Sequence, residues 1–261
     1  MRSYLAPAGA LVLAALTGGA PAQTPTAGGY LAGREPDTVA VIPQAPAPGT
    51  ARDDADRAIF RATRALQGTP RWNLATSDAQ LSIPDLLRDF SCAAGAALTV
   101  KDAPALAKVI RNSFPDMASA YNPPKDLYKR PRPYLRDPGP ICVARSDYLD
   151  KSYDYPSGHA TIAWATGLIL AEAAPDRASA ILARARAFGE SRAVCGVHSA
   201  SAVDEARSAA STLVAALDAD AAFRTDESAA RTELTALRAD PSGLDAQACQ
   251  AEVAITARTP W

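Results

Sequence analysis

The chain has 261 residues, with 27 basic and 28 acidic side chains, and its net charge of -1 argues against a nucleic-acid binder, which normally shows a basic excess. Hydrophobic residues make up 48% and charged residues 21%, which excludes wholesale disorder and leaves enough chain for a buried core. Only two histidines occur, and no HExxH, CxxC or GxxxxGK[ST] pattern is present, which argues against most zinc enzymes.

Residues 1–22 are predicted to be a signal peptide. Arg2 supplies a positive start, residues 5–16 form a short apolar run, and residues 20–22 read Ala-Pro-Ala, an A-x-A cleavage pattern. The apolar run is well short of the roughly 20 residues that a membrane-spanning helix needs. We therefore expect a periplasmic or secreted protein with no membrane contact after cleavage.

Export would place the four cysteines in an oxidising compartment, where two disulfides are expected. Four cysteines allow three pairings, and the sequence does not select one. The cysteines are Cys92, Cys142, Cys195 and Cys249.

Residues 23–50 are rich in proline, glycine, alanine and threonine, which predicts an extended arm rather than a packed element. Residues 51–261 are predicted to form one mainly α domain, a helical bundle, because alanine and leucine dominate and strand-like alternation is nearly absent. Asp53 and Asp54 are candidate caps of the first helix. The predicted helices span residues 53–66, 78–93, 104–121, 157–174, 176–190, 199–217 and 228–239.

Two features of this pattern bear on function. The apolar stretch at residues 160–174 is interrupted by Glu172 and is predicted to be a buried helix, not a membrane span. Residues 121–133 carry four prolines and five charged residues and are predicted to form a loop, a location that often carries function. Lys129 and Arg130 in this segment are expected on a solvated surface.

Three cations stand in short motifs that could hold one small anion. Lys125 precedes Arg132-Pro133 by seven positions, and Arg192 follows Ser191 in a third segment. Arginine binds phosphate oxygens through two parallel hydrogen bonds, and lysine adds a point charge. We therefore expect these side chains to converge on a phosphate group.

The two histidines stand in the same set of motifs. His159 ends the sequence Pro-Ser-Gly-His, where Ser157 and Gly158 open a predicted helix whose free N–H groups favour an anion. His198 follows Arg192 by six positions. One imidazole could attack phosphorus while the other protonates the leaving oxygen, without a metal.

These segments resemble the signature KX6RP, PSGH and SRX5HX3D of the type 2 phosphatidic acid phosphatase superfamily, and most closely the class A bacterial non-specific acid phosphatases. The resemblance runs from about residue 40 to about residue 215. It implies a secreted, mainly helical phosphomonoesterase that needs no metal or cofactor and acts on small phosphorylated substrates, releasing inorganic phosphate. His198 would become phosphohistidine and His159 would be the acid. The phosphate would be held by Lys125, Arg132, Ser157, Gly158 and Arg192. The sequence leaves open whether the protein is a monomer or a homo-oligomer.

The chain departs from the signature at Ala202, where the family has an aspartate four residues after the nucleophile. That carboxylate would orient the imidazole of His198. Asp204 lies about 240° around a helix from His198, and Glu205 lies two turns away, so neither is expected to substitute. The departure predicts either reduced activity or a carboxylate from elsewhere in the fold. It also leaves two alternatives, a non-catalytic phosphate-binding homologue and a vanadium-dependent haloperoxidase.

Overall fold

The computed structural model describes residues 28–261, so the predicted signal peptide lies outside the described residues. Within residues 28–261 all regular structure is helical, and the predicted mainly α fold is confirmed. None of the helices in this range combines the length and the apolar character needed to cross a membrane. The α-helices are α1 Ala51–Thr63, α2 Pro70–Ser77, α3 Ile83–Ala94, α4 Pro104–Tyr128, α5 Asp147–Lys151, α6 Gly158–Ala173, α7 Ala178–Cys195, α8 Ala200–Leu217, α9 Ala221–Arg238 and α10 Ala246–Thr256.

Helix α6 is the centre of the bundle. It packs against α3, α4, α7, α8 and α9. Most of its side chains are apolar and they occupy every face of the helix, and residues such as Ile169 and Leu170 have no exposed surface. A helix that is hydrophobic all round is buried in a core, so the prediction of a buried helix here is confirmed.

The N-cap of the first helix lies three residues before the predicted cap, Asp53. Thr50 is the N-cap of α1, and its side chain accepts a hydrogen bond from the N–H of Asp53. Asp53 itself is fully buried and pairs with Arg130. The acidic pair was therefore a correct marker of the helix start but not its cap.

The predicted loop at residues 121–133 is wrong in its first half, because α4 continues to Tyr128. Pro124 has no N–H to donate to the carbonyl oxygen of Ala120 four residues earlier. The hydroxyl of Thr38 donates to that oxygen instead, at 2.8 Å. A side chain from another segment thus supplies the hydrogen bond that the proline removes, and Lys125 lies on a helix.

The arm is packed, contrary to the expectation of an unpacked linker. Leu31 and Ile42 are buried in the main apolar core. The N–H groups of Tyr30 and Leu31 donate to the carboxylate of Asp116 in α4, at 2.8 and 3.1 Å. These contacts fix the arm against α4, although the boundary between arm and domain stays a prediction.

The structure selects one of the three disulfide pairings. Cys142 is bonded to Cys195 and Cys92 to Cys249. The first bond joins the segment before α5 to the end of α7, three residues before His198. The second bond attaches α10, which the sequence did not predict, to α3.

Candidate active site

The three motifs meet at one end of the central helix. A guanidinium nitrogen of Arg132 lies 3.0 Å from Nε2 of His198. Lys125 donates from Nζ to the carbonyl oxygen of Tyr153, at 2.9 Å, in the segment that leads to α6. The positive charge of Arg192 lowers the pKa of both His159 and His198. The motifs that are separated in sequence therefore surround one small volume.

The contacts of His198 fix the position of its ring proton. The same nitrogen of Arg132 donates to the carbonyl oxygen of Val197 at 2.8 Å, and a guanidinium cannot accept a hydrogen bond. Nε2 of His198 must therefore be the acceptor in its contact with Arg132. The proton lies on Nδ1, which is 2.6 Å from the carbonyl oxygen of Asp154. This tautomer leaves the lone pair of Nε2 directed towards the cations.

A carboxylate stands beside His198, although residue 202 is alanine. Oδ1 of Asp154 lies 3.2 Å from Nδ1 of His198. The helical argument for position 202 does not apply to this chain, because His198 precedes α8, which begins at Ala200. The methyl group of Ala202 is fully buried in the main apolar core.

The two downstream acids do not reach the site, as predicted. Asp204 pairs with Arg207 at 3.5 Å, and Glu205 pairs with Arg52 at 2.9 Å. The carboxylate at the site therefore comes from the segment before α6 and not from α8.

Burial and the surrounding cations favour the neutral form of His198. Burial, followed by the charges of Arg132, Lys125 and Arg192, holds the pKa of His198 well below its ordinary value. Burial and the neighbouring Arg132 also lower the pKa of Lys125 to about 7. Each shift reflects the cost of placing one more positive charge in a buried, already positive region.

Arg192 is buried without a partner. Its side chain is almost entirely covered, and neither Nε nor one of its terminal nitrogens has a hydrogen-bond partner in the described chain. Burial, followed by the charge of Arg132, lowers its pKa to about 10. An unsatisfied buried guanidinium is costly unless an anion joins it, so this side chain marks a place for one.

The start of α6 offers backbone donors to the same anion. Ser157 is the N-cap, and its side chain accepts a hydrogen bond from the N–H of Ala160. The N–H groups of Gly158 and His159 are then among the first of the helix, which have no acceptor within it. A Cβ at Gly158 would lie 3.1 Å from the ring of Tyr121, so a larger residue here would require that ring to shift by a few tenths of an ångström.

His159 is held in a different way from His198. Its Nε2 lies 3.2 Å from the carbonyl oxygen of Ala79. A carbonyl can only accept, so Nε2 carries a proton, and Nδ1 is the atom left to exchange one. Burial, followed by the charges of Arg192 and His198, lowers the pKa of His159.

Sequence reasoning missed an ion-pair network behind the site. Arg130, expected on a solvated surface, is buried and pairs with Asp53 and Asp56 at 2.9 Å each. It also lies 3.4 Å from Asp154. The only signal in the sequence was the position of Asp154, two residues before Pro-Ser-Gly-His, and no local pattern indicated the acids of α1.

Comparisons with known proteins identify the family of this chain. The PAP2 superfamily profile matches residues 105–217, a range that contains all three motifs. An acid phosphatase of Zymomonas mobilis is 39% identical, over 83% of this chain and 82% of the relative. The chain belongs to the PAP2 superfamily. A non-specific acid phosphatase of Providencia stuartii is 35% identical over 77% of this chain and 82% of its own, and one of Salmonella typhimurium is 33% identical over 69% and 72%. The protein is a phosphatase of this superfamily, of the acid phosphatase group.

Proposed function

We propose that this PAP2 phosphatase hydrolyses phosphate monoesters of small molecules through a phosphohistidine intermediate. Nε2 of His198 attacks phosphorus, the Nε2–P bond forms, and the bond to the ester oxygen breaks. His159 gives its Nδ1 proton to that oxygen, and the alcohol leaves. Water then attacks phosphorus and gives a proton to His159 while the Nε2–P bond breaks, and inorganic phosphate is released.

The observation that carries this proposal is the contact between Arg132 and Nε2 of His198. It directs the lone pair of a neutral imidazole into a region that also holds the unpartnered Arg192. A phosphate bound there would accept hydrogen bonds from Arg132, Arg192 and the start of α6, and these donors would stabilise the charge of the transition state. Lys125 would add a further charge.

The same electrostatics predict when His159 is protonated. Burial, followed by the charge of Arg192, lowers the pKa of His159. A bound phosphate dianion offsets the positive charges, so the pKa of His159 rises when substrate binds. We therefore expect His159 to take up its proton as the substrate binds, and activity to be highest at mildly acidic pH.

The main alternative was a phosphate-binding homologue without turnover, and it was based on Ala202. The carboxylate of Asp154 beside His198 weakens that argument. No observation on this chain favours a vanadium-dependent haloperoxidase. Export to the periplasm or the medium remains part of the proposal, supported by the two disulfides.

Hydrolysis of p-nitrophenyl phosphate with EDTA present tests the proposal. We expect turnover that vanadate blocks, a phosphorylated protein after acid-free rapid quenching, and loss of both in His198→Ala. Turnover in His198→Ala equal to that of the unmodified protein would refute the nucleophile. Phosphate binding without turnover in the unmodified protein would favour the binding homologue.

A second comparison tests the role of His159. The p-nitrophenolate ion leaves without being protonated, whereas an alkoxide must be protonated as it leaves. His159→Ala should therefore lose more activity on an alkyl phosphate than on p-nitrophenyl phosphate, measured as the rate of formation of phosphoenzyme. Equal losses on both substrates would contradict the role of acid.

A further inference from the structure

We propose that the carboxylate of Asp154 is the positioning group of His198, and that it replaces the carboxylate that residue 202 lacks. The inference rests on the proposed function, because it assigns a role in the attack by His198. It concerns a residue outside the three motifs.

The first argument is the contact with the ring. Nδ1 of His198 faces both the carbonyl oxygen of Asp154, at 2.6 Å, and its Oδ1, at 3.2 Å. Asp154 is the one acidic side chain paired with His198 among residues 28–261. When phosphorus bonds to Nε2, the ring becomes positively charged and Nδ1–H becomes a stronger donor. The carbonyl group supplies only a dipole there, whereas the carboxylate supplies a full negative charge.

The second argument is that the protein holds the carboxylate in place. The N–H of Ser199 donates to Oδ1 of Asp154 at 2.9 Å, and the hydroxyl of Ser199 donates to Oδ2. The N–H of Asp154 donates to the carbonyl oxygen of Arg130 at 2.8 Å. Asp154 therefore contacts both the ring of His198 and the next residue, Ser199, at the start of α8. These contacts fix the orientation of the ring relative to α8.

The third argument is that the side chain at position 202 is apolar and packed. The methyl group of Ala202 is buried in the main apolar core. The carbonyl oxygen of Ala202, which any residue at this position would present, accepts a hydrogen bond from the N–H of Ser157 at 2.9 Å and joins α8 to the start of α6. The negative charge beside the ring therefore lies in the segment before α6, where Arg130 is 3.4 Å from the carboxylate of Asp154.

The test compares Asp154→Asn, Ala202→Asp and the control Asp204→Asn in hydrolysis of p-nitrophenyl phosphate. In a serine protease triad, the corresponding change to asparagine lowers turnover by about four orders of magnitude. Here the carbonyl oxygen of residue 154 remains, so we expect kcat of Asp154→Asn to fall by about 100-fold with KM nearly unchanged. Asp204→Asn should keep the activity of the unmodified protein.

Two results would overturn the proposal. One is an Asp154→Asn variant that is folded by circular dichroism and keeps its kcat. The other is a large gain of kcat in Ala202→Asp, because a site that already has its carboxylate should gain less than about threefold. The second variant does not depend on whether Asp154→Asn folds.

A readout without turnover separates this inference from the proposed function. The chain has only two histidines, so ¹⁵N spectra of the imidazole rings are simple to assign with His159→Ala. We expect His198 to carry its proton on Nδ1 in both proteins, because Arg132 and the carbonyl oxygen of residue 154 remain. The Asn side chain removes the negative charge beside Nδ1–H, so we expect the Nδ1 resonance of His198 to shift and the pKa of the ring to fall in Asp154→Asn, with sulfate binding retained. An Nδ1 resonance and a pKa that are both unchanged in Asp154→Asn would refute the positioning role. Absence of hydrolysis in the unmodified protein, with these changes observed, would refute only the proposed function.

Discussion

Substitution by methionine should change the free energy of unfolding in opposite directions at two arginines of α7. Arg184 and Arg192 are each 3% exposed, and both lie on the same helix. Arg184 pairs with Asp78 at 2.6 Å and with Glu252 at 3.3 Å. Arg192 has no hydrogen bond or ion pair from its side chain within residues 28–261. The charge of Arg184 is therefore paired with acidic side chains of the described chain, and the charge of Arg192 is not.

The size of each effect follows from these contacts. Burial and Arg132 lower the pKa of Arg192 from 12.5 to about 10, and a pKa unit corresponds to about 1.4 kcal/mol, so the charged form costs about 3 kcal/mol. This cost is present below pH 10, where the side chain is charged in both the folded and the unfolded chain. We expect Arg192→Met to raise the free energy of unfolding by about 1–3 kcal/mol. This is less than the full cost of the buried charge, because the methionine side chain packs imperfectly in its place. Arg184→Met leaves the buried charge of Asp78 without its ion-pair partner. This substitution should lower the free energy of unfolding by about 3–5 kcal/mol.

Thermal unfolding with and without sulfate measures both consequences. A change of 1 kcal/mol shifts Tm by about 2–4 °C in a chain of this size. Arg192→Met should melt at a higher temperature than the unmodified protein, should lose most of the stabilisation that sulfate provides, and should be inactive. If Arg192→Met instead melts lower, as Arg184→Met does, the uncompensated charge is not what this residue contributes. If sulfate still stabilises it fully, the anion does not bind at Arg192.

Three other predictions use the same assays. Burial and Arg132 lower the pKa of Lys125 to about 7, so its positive charge is lost above that pH. The affinity for sulfate should therefore fall between pH 7 and 9. Lys125→Met should bind sulfate more weakly, and its affinity should depend less on pH. Replacing Cys142 and Cys195 with alanine should lower the free energy of unfolding by about 2–4 kcal/mol and also reduce kcat, because this disulfide fixes the segment that leads to His198. Thr38→Val leaves the Ala120 carbonyl without its donor and should cost about 1–3 kcal/mol, measured by urea unfolding.

Each of these has a matched control. Lys101→Met changes an exposed lysine and should leave the pH dependence of sulfate binding intact. Replacing Cys92 and Cys249 removes the other disulfide and should lower stability without lowering kcat of the folded protein. Thr225→Val removes an exposed threonine and should leave unfolding unchanged. A loss of kcat equal for both disulfides would show that stability alone explains the effect.

The helices with apolar runs and clear breakers were predictable from sequence, and their ends were not. The helix predicted at residues 176–190 extends to Cys195, and the one predicted at 228–239 begins at Ala221. Helix α10 carries little apolar periodicity and is held by the disulfide at Cys249, so no local pattern indicated it. Helix α4 continues past Pro124, and the donor that this proline lacks comes from Thr38, which is far away in sequence.

The members of the site were predictable from the motifs, but the carboxylate was not. The family signature points to position 202, and the helical spacing that would place this residue against the ring needs His198 to lie on α8. The helix starts two residues later, so the ring turns towards the segment before α6, where Asp154 stands. Only the relative placement of the two segments decides which acid meets the imidazole, and placement is a tertiary property.

The proposed roles of His198 as nucleophile and His159 as acid follow from the hydrogen-bond partners of the two rings and not from the shifts of their pKa values. Burial and neighbouring cations, Arg132 and Arg192 among them, lower the pKa of both rings, so the direction of these shifts does not distinguish the two histidines. Nε2 of His198 faces a donor, Arg132, and must keep a lone pair, whereas Nε2 of His159 faces an acceptor, the carbonyl oxygen of Ala79, and must keep a proton. A ring held with its lone pair inward is prepared to attack. A ring whose far nitrogen is already protonated becomes an acid as soon as a bound anion favours a second proton.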